Sequence, residues 1–306
     1  MSNVDMRVTL AGMTMKNPVV VASGTFGFGR EYSQFFDLSE LGGICAKGLT
    51  LLPREGNPAP RIAETPMGIL NSVGLQNPGV DAFIAEELPF LRQYDVKVIA
   101  NISGNTPEEY GVMCEKLAGA GVDMIEVNIS CPNVKAGGLA NGTRPELAAE
   151  VTEMAKSHAG NVPVMVKLSP NVTDITEIAR AVEVAGADAV SLINTIRGMR
   201  IDVNTRRPIL KMNTGGLSGP AVLPVAVRMV WEVSQAVKVP VLGMGGVSKG
   251  EDAAQLMLAG ASAVAVGTAL FADPYAPIKV RDGLEAIAAR QGLSAVRELT
   301  GAVRPW

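Results

Sequence analysis

Two lysines, a cysteine and a set of asparagines stand where short apolar runs end. Lys47 and Lys167 each close a β-rich run; Asn101, Asn128 and Asn194-Thr195 close three more. A lysine so placed offers fixed charge to an anion or oxyanion, or an amine for a Schiff base. Taken singly, such a Lys is more often a solvated rim residue and such an Asn a turn residue. Glu126 lies two residues before Asn128, so both face one side of a strand. A buried carboxylate needs a cation, and Lys167 on the next strand is the nearest candidate. Cys131, in Asn128-Ile129-Ser130-Cys131-Pro132-Asn133, could be an inert thiol, a nucleophile or an acid–base group. Gly245-Gly246 and Gly267-Thr268 end two further runs. Glycine there lets backbone N–H groups approach a phosphate, although tight turns alone would also account for it.

Composition narrows the chemistry. The only histidine is His158, near the end of a helix-like stretch before Gly160, which excludes a multi-histidine metal site. Three cysteines without a CxxC cannot hold a cysteine-only iron–sulfur cluster. Cys45 within a strand and Cys114 on a helix read as small core residues. Net charge is −3 and aromatics are 4%, which disfavours nucleic-acid binding. The uncharged run from Ala253 to Ala272 breaks at Gly260 and is not expected to span a membrane. No signal peptide is read, so the expected location is the cytoplasm.

These residues need a scaffold that gathers strand ends. Eight runs qualify: Val19–Ser23, Gly43–Gly48, Val96–Ile102, Asp123–Ile129, Pro163–Ser169, Asp188–Asn194, Val239–Gly245 and Ala263–Gly267. Amphipathic stretches between them open at Thr106-Pro107, Thr143-Arg144-Pro145 and Thr173-Asp174, and stop at Gly121, Gly160, Gly186 and Gly260. Strands alternating with helices eight times predict a (β/α)8 TIM barrel, an α/β fold with its chemistry at the C-terminal strand ends. Length alone suggests about two domains, but no linker divides the chain, so residues 1–306 are expected to form one barrel domain. Insertions are expected at Leu49–Gly79, after strand two, and Thr195–Gly219, after strand six. A doubly wound dinucleotide fold is the rival, but Ser23-Gly24-Thr25-Phe26-Gly27-Phe28-Gly29 has the wrong spacing for its fingerprint.

Asn128–Asn133, with Lys47-Gly48 and Asn71-Ser72-Val73-Gly74-Leu75-Gln76-Asn77, strongly resembles the dihydroorotate dehydrogenases of pyrimidine synthesis. Gly243–Val247 and Val266-Gly267-Thr268 are similar to that family's flavin phosphate loops. The resemblance runs over nearly the whole chain, in order.

The resemblance implies an FMN enzyme oxidising dihydroorotate to orotate. Cys131 would be the base that removes the carbon 5 proton; cysteine fills that role in the soluble groups of the family. Lys47, Asn71, Ser72, Val73, Gly74, Leu75, Asn128, Asn194 and Thr195 would bind substrate. Ser23, Lys47, Gly48, Asn101, Asn128, Lys167, Ile193 and Gly219 would contact FMN, with Gly245, Gly246, Gly267 and Thr268 on its phosphate. Cys131-Pro132-Asn133-Val134-Lys135-Ala136-Gly137-Gly138 is similar to the NAD-linked group. There the catalytic chain pairs with a subunit carrying FAD and a [2Fe–2S] cluster, as a heterotetramer of two chains of each kind. Alternatives are a fumarate-using member and other flavin barrels, such as a dihydropyrimidine dehydrogenase module or a dihydrouridine synthase. A non-flavin aldolase or isomerase using Lys47 or Lys167, and a metabolite-binding sensor, are the alternatives from other classes.

Overall fold

The computed structural model describes residues 4–129 and 142–306. Eight short strands form a closed, wholly parallel barrel. In chain order they are β1 (Val19–Val21), β2 (Gly43–Cys45), β3 (Lys97–Ile102), β4 (Met124–Asn128), β5 (Val164–Lys167), β6 (Ala189–Leu192), β7 (Val241–Met244) and β8 (Ala263–Val266). Each neighbour in space is the neighbour in sequence, and β8 closes on β1. Apart from Lys97, every strand residue is buried. That explains the uninterrupted Val, Ile and Ala runs: helices cover the outer face, and side chains fill the inside.

The expected helix signals mostly act as read. Pro107–Ala120 starts at Thr106, whose hydroxyl accepts from the Glu109 N–H, and stops at Gly121 in the left-handed region. Ile175–Val184 is capped by Asp174. Pro145–His158 begins with Arg144 at the cap position and no side-chain cap. After β1 the chain makes two 3₁₀ turns, Tyr32–Gln34 and Leu38–Glu40, in place of a full helix. Gly260 separates the helix Gly250–Leu258 from β8, and no described helix is long and apolar enough to cross a membrane.

The two insertions share one structure. Ile62–Thr65 and Gly68–Asn71 form a hairpin from the first; Ile196–Gly198 and Gly215–Ser218 come from the second. Gly68–Asn71 pairs antiparallel with Gly215–Ser218, which joins all four into one sheet. Its small core is Ala63, Leu70 and Leu210. The sheet springs from β2 and β6, which lie on opposite sides of the barrel ring, so it spans the mouth. Gly216 permits a close approach, since a Cβ there would fall 2.0 Å from Thr195 Oγ1.

Candidate active site

Beneath that sheet, at the C-terminal ends of the barrel strands, lies a cavity of about 710 Å³. Its wall brings together almost every site residue expected from the sequence: Ser23, Lys47, Gly48, Asn71, Val73, Gly74, Leu75, Asn101, Asn128, Lys167, Ile193, Asn194, Thr195, Gly219, Gly245, Gly246, Gly267 and Thr268. Ser72 does not reach it. Its side chain is fully buried behind the wall, with Oγ unpartnered, and its carbonyl accepts from Asn57. Cys131 lies outside the described residues.

The floor is polar in an otherwise apolar barrel. Glu126 is 0% exposed and Lys167 5%, with Lys167 Nζ 3.6 Å from Glu126 Oε2. The ion pair expected from strand register is therefore present. Ser191 Oγ donates to Glu126 Oε1 at 2.6 Å, and Cys45 Sγ and Asn101 Nδ2 both donate to Oε2. Lys167 Nζ also donates to Ser23 Oγ at 3.3 Å. Burial alone would push the Glu126 carboxyl up. The Lys167 charge and the hydrogen bonds from Ser191, Cys45 and Asn101 outweigh it, holding the group below the ordinary carboxylate range. Burial, then the Glu126 charge, drives the Cys45 thiol well above its ordinary value, which keeps it protonated as a donor. Cys45 is thus a network member rather than plain filler. Its place two residues before Lys47, on the same strand face, was the available signal. Ser191 was visible only as one hydroxyl inside the run Ala189-Val190-Ser191-Leu192.

One wall is a rim of amides. Asn194 Nδ2 lies 3.4 Å from Asn128 Oδ1, and Asn194 Oδ1 accepts from the Thr195 N–H. Opposite it runs the segment Asn71–Asn77. Asn57 donates to Ser72 O, and Asn77 donates to Leu75 O while accepting from Thr50 and Gly79 N–H groups. These bonds pin the segment from behind. Gly74 and Leu75 both adopt positive φ, +79° and +57°. Their N–H groups have no acceptor among the described residues. A pinned backbone with open donors is suited to a carboxylate or carbonyl oxygen.

A third wall is the glycine cradle after β6, β7 and β8. Gly219, Gly245 and Gly246 hold φ of +105°, +124° and +80°. Thr268 Oγ1 donates to Ser218 Oγ at 2.7 Å, bringing the loops after β6 and β8 together. The N–H groups of Gly246, Gly267 and Thr268 have no acceptor among the described residues. Asp252 accepts from the Ser248 and Lys249 N–H groups ahead of the helix Gly250–Leu258, and the cavity is lined there by Gly245–Ser248 rather than by that helix. Ser218 and Thr25 also line the wall and were not singled out from sequence, where an isolated hydroxyl in a loop carries no pattern.

Fold and site together define a (β/α)8 barrel with a cavity at its mouth that gathers a buried cation, amides and glycine-loop N–H groups. The family model described as dihydroorotate dehydrogenase matches residues 5–288. The chain belongs to the dihydroorotate dehydrogenase family. It is 56% identical over 301 residues to "Dihydroorotate dehydrogenase B (NAD(+)), catalytic subunit" of Alkaliphilus oremlandii, covering 98% of this chain and 99% of that one. Proteins of the same name from Geotalea daltonii and Caldicellulosiruptor bescii are 55% and 53% identical. They cover 99% and 98% of this chain, and 100% and 99% of their own lengths.

Proposed function

We propose that this chain is the catalytic subunit of an NAD⁺-linked dihydroorotate dehydrogenase. It oxidises dihydroorotate to orotate in pyrimidine synthesis, in the cytoplasm, with FMN in the barrel mouth. The observation that carries this reading is the meeting, in one cavity, of a glycine cradle, a buried cationic floor and an amide rim. The cavity fits FMN in chemistry as well as in size. Asn101 Oδ1 is buried without a partner, and the glycine-loop amides are open donors. When bound, FMN supplies a two-electron acceptor for the hydride of carbon 6.

The chain's own residues do the rest. Gly245, Gly246, Gly267 and Thr268 would hold the phosphate through backbone N–H groups. Ser23, Gly48, Asn101, Ile193 and Gly219 would contact the rest of FMN. Lys167 would supply positive charge to the bound cofactor, and Lys47 would serve both cofactor and substrate. Asn71, Asn128, Asn194 and Thr195, with the backbone of Val73–Leu75, orient dihydroorotate and exclude water from it. Cys131 accepts the carbon 5 proton. With three cysteines and no dinucleotide fingerprint, this chain leaves NAD⁺ reduction to a partner subunit carrying FAD and a [2Fe–2S] cluster. The assembly is a heterotetramer of two chains of each kind.

The purified chain is expected to be yellow and to bleach on adding dihydroorotate. A colourless protein with no affinity for added FMN would reject the reading. NAD⁺ reduction is expected only with the partner present, and robust fumarate turnover by this chain alone would overturn the NAD⁺ assignment. The cradle has its own test. A Cβ on Gly246 would sit 2.7 Å from Leu223 Cβ and 2.9 Å from Leu223 N, at a φ that alanine resists. Gly246→Ala should therefore weaken FMN binding to the apoprotein by about tenfold or more, roughly 1.4 kcal/mol. Undiminished affinity in a fluorescence titration would remove this turn from the phosphate site.

A further inference from the structure

Glu126 does not line the cavity, yet four groups that line it or stand directly behind it end on its carboxylate. Asn101 Nδ2 and Cys45 Sγ donate to Oε2, and Lys167 Nζ lies 3.6 Å from the same oxygen. Ser191 donates to Oε1. An ionised carboxylate only accepts hydrogen bonds. Asn101 must therefore turn its NH₂ toward Glu126, which leaves Oδ1 facing the cavity. That oxygen is buried and has no hydrogen-bond partner. Gly48 leaves it room to sit there, since a Cβ at position 48 would lie 2.8 Å from it. The same carboxylate is the counter-charge of Lys167, whose 5%-exposed ammonium lies 3.6 Å away at the cavity floor.

We infer that Glu126 is a positioning residue that sets the hydrogen-bonding face of the cavity floor, making Asn101 an acceptor and Lys167 a cationic donor toward the ligand. The face suits a ring edge in which an N–H stands beside carbonyl and imine acceptors, the cyclic imide edge of a flavin. This inference rests on the FMN reading above. It adds that the selectivity of the floor is written by a residue with no access to the ligand. Glutamine at position 126 would offer both a donor and an acceptor, so Asn101 would no longer be forced into one orientation. Lys167 would lose its counter-charge, 3.6 Å away in the native chain. The titratable neighbours on this floor, among the described residues, are Cys45 and Lys47; Ser23, Asn101 and Ser191 are neutral.

The test is FMN titration of the apoprotein, and the midpoint potential of bound flavin, in the whole chain at neutral pH. Glu126→Gln should bind FMN about 10- to 100-fold more weakly, the scale known for supporting partners behind metal ligands. It should also shift the midpoint potential upward, because a negative charge behind the floor has been removed. Wild-type affinity together with a wild-type potential in Glu126→Gln would overturn the inference. Glu126→Asp keeps the charge but retracts it by one methylene, and covers the case in which the glutamine variant does not fold. It should keep the wild-type potential and show an affinity between the two, a few-fold below wild type. A shifted potential in the aspartate variant, or wild-type affinity in it, would count against Glu126. A wild-type chain that takes up no FMN would reject the parent reading, and the inference with it. A chain that binds FMN but is indifferent to position 126 rejects the inference alone.

Discussion

Cys131→Ala is expected to retain FMN and lose dihydroorotate turnover by about 10²- to 10⁴-fold, the range that general-base catalysis contributes. Alanine at position 131 would remove the proposed proton acceptor while leaving the sequence of the glycine cradle, the lysines and the amide rim unchanged. Flavin content should therefore stay at the wild-type level while kcat/KM collapses. The thiol is a modest base in isolation, with a pKa of about 8.5, so its thiolate fraction rises with pH through the neutral range. Wild-type activity should climb with pH over that interval, and the residual activity of the alanine variant should not. Steady-state kinetics beside the flavin absorbance check both statements. Wild-type turnover in Cys131→Ala would take Cys131 out of the mechanism.

Removing Lys167 should have the largest effect on the fold. Lys167→Met strands the fully buried Glu126 carboxylate, and breaking a buried pair from one side costs about 3–5 kcal/mol. The pH dependence of that loss has a definite sign. In the native chain burial pushes Glu126 up, but Lys167 and the hydrogen bonds hold it below the ordinary range. A carboxyl lowered on folding contributes stability that is fully present above its unfolded pKa, about 4.3. That contribution disappears as pH falls through the folded value. With Lys167 gone, burial dominates and the folded pKa moves above the unfolded one. The variant then loses stability as pH rises past about 4.3. The deficit against wild type should be greatest near neutral pH and shrink toward about pH 4–5. Urea unfolding at two pH values measures it, and an equal deficit at both would show that the Glu126 charge is not its source.

The barrel was legible because its strands have one kind of environment. Each is buried on both faces, so each reads as an unbroken β-branched run, and Gly121, Gly186 and Gly260 mark the turns between helix and strand. The Glu126–Lys167 pair was legible in two steps: Glu126 lies two residues before Asn128 and so shares its strand face, and a buried carboxylate needs a cation, which the next strand offers in Lys167. The roof was legible only as excess length. Its pairing of Gly68–Asn71 with Gly215–Ser218 joins segments about 145 residues apart, and neither four-residue strand carries enough alternation to name its partner. Cys45 and Ser191 were hidden differently. A small polar atom within an apolar run looks like packing until the neighbouring strand shows what it touches. Ser72 was expected at the substrate only through the Asn71–Leu75 backbone that the resemblance implies. Its side chain faces inward behind the wall, because adjacent side chains on an extended segment point opposite ways.

The sheet across the mouth also bears on the order in which the molecule can assemble. Its strands issue from β2 and β6, so it cannot close until the chain has been ordered through Gly215–Ser218. Contacts of such long sequence separation are entropically late. A chain folded only through β5 would hold Glu126 and Lys167 but lack Ser191 of the floor, the roof and the glycine loops after β6, β7 and β8. Ligand affinity and folding are therefore acquired at the same late step, and bound ligand favours the completed barrel over every shorter intermediate.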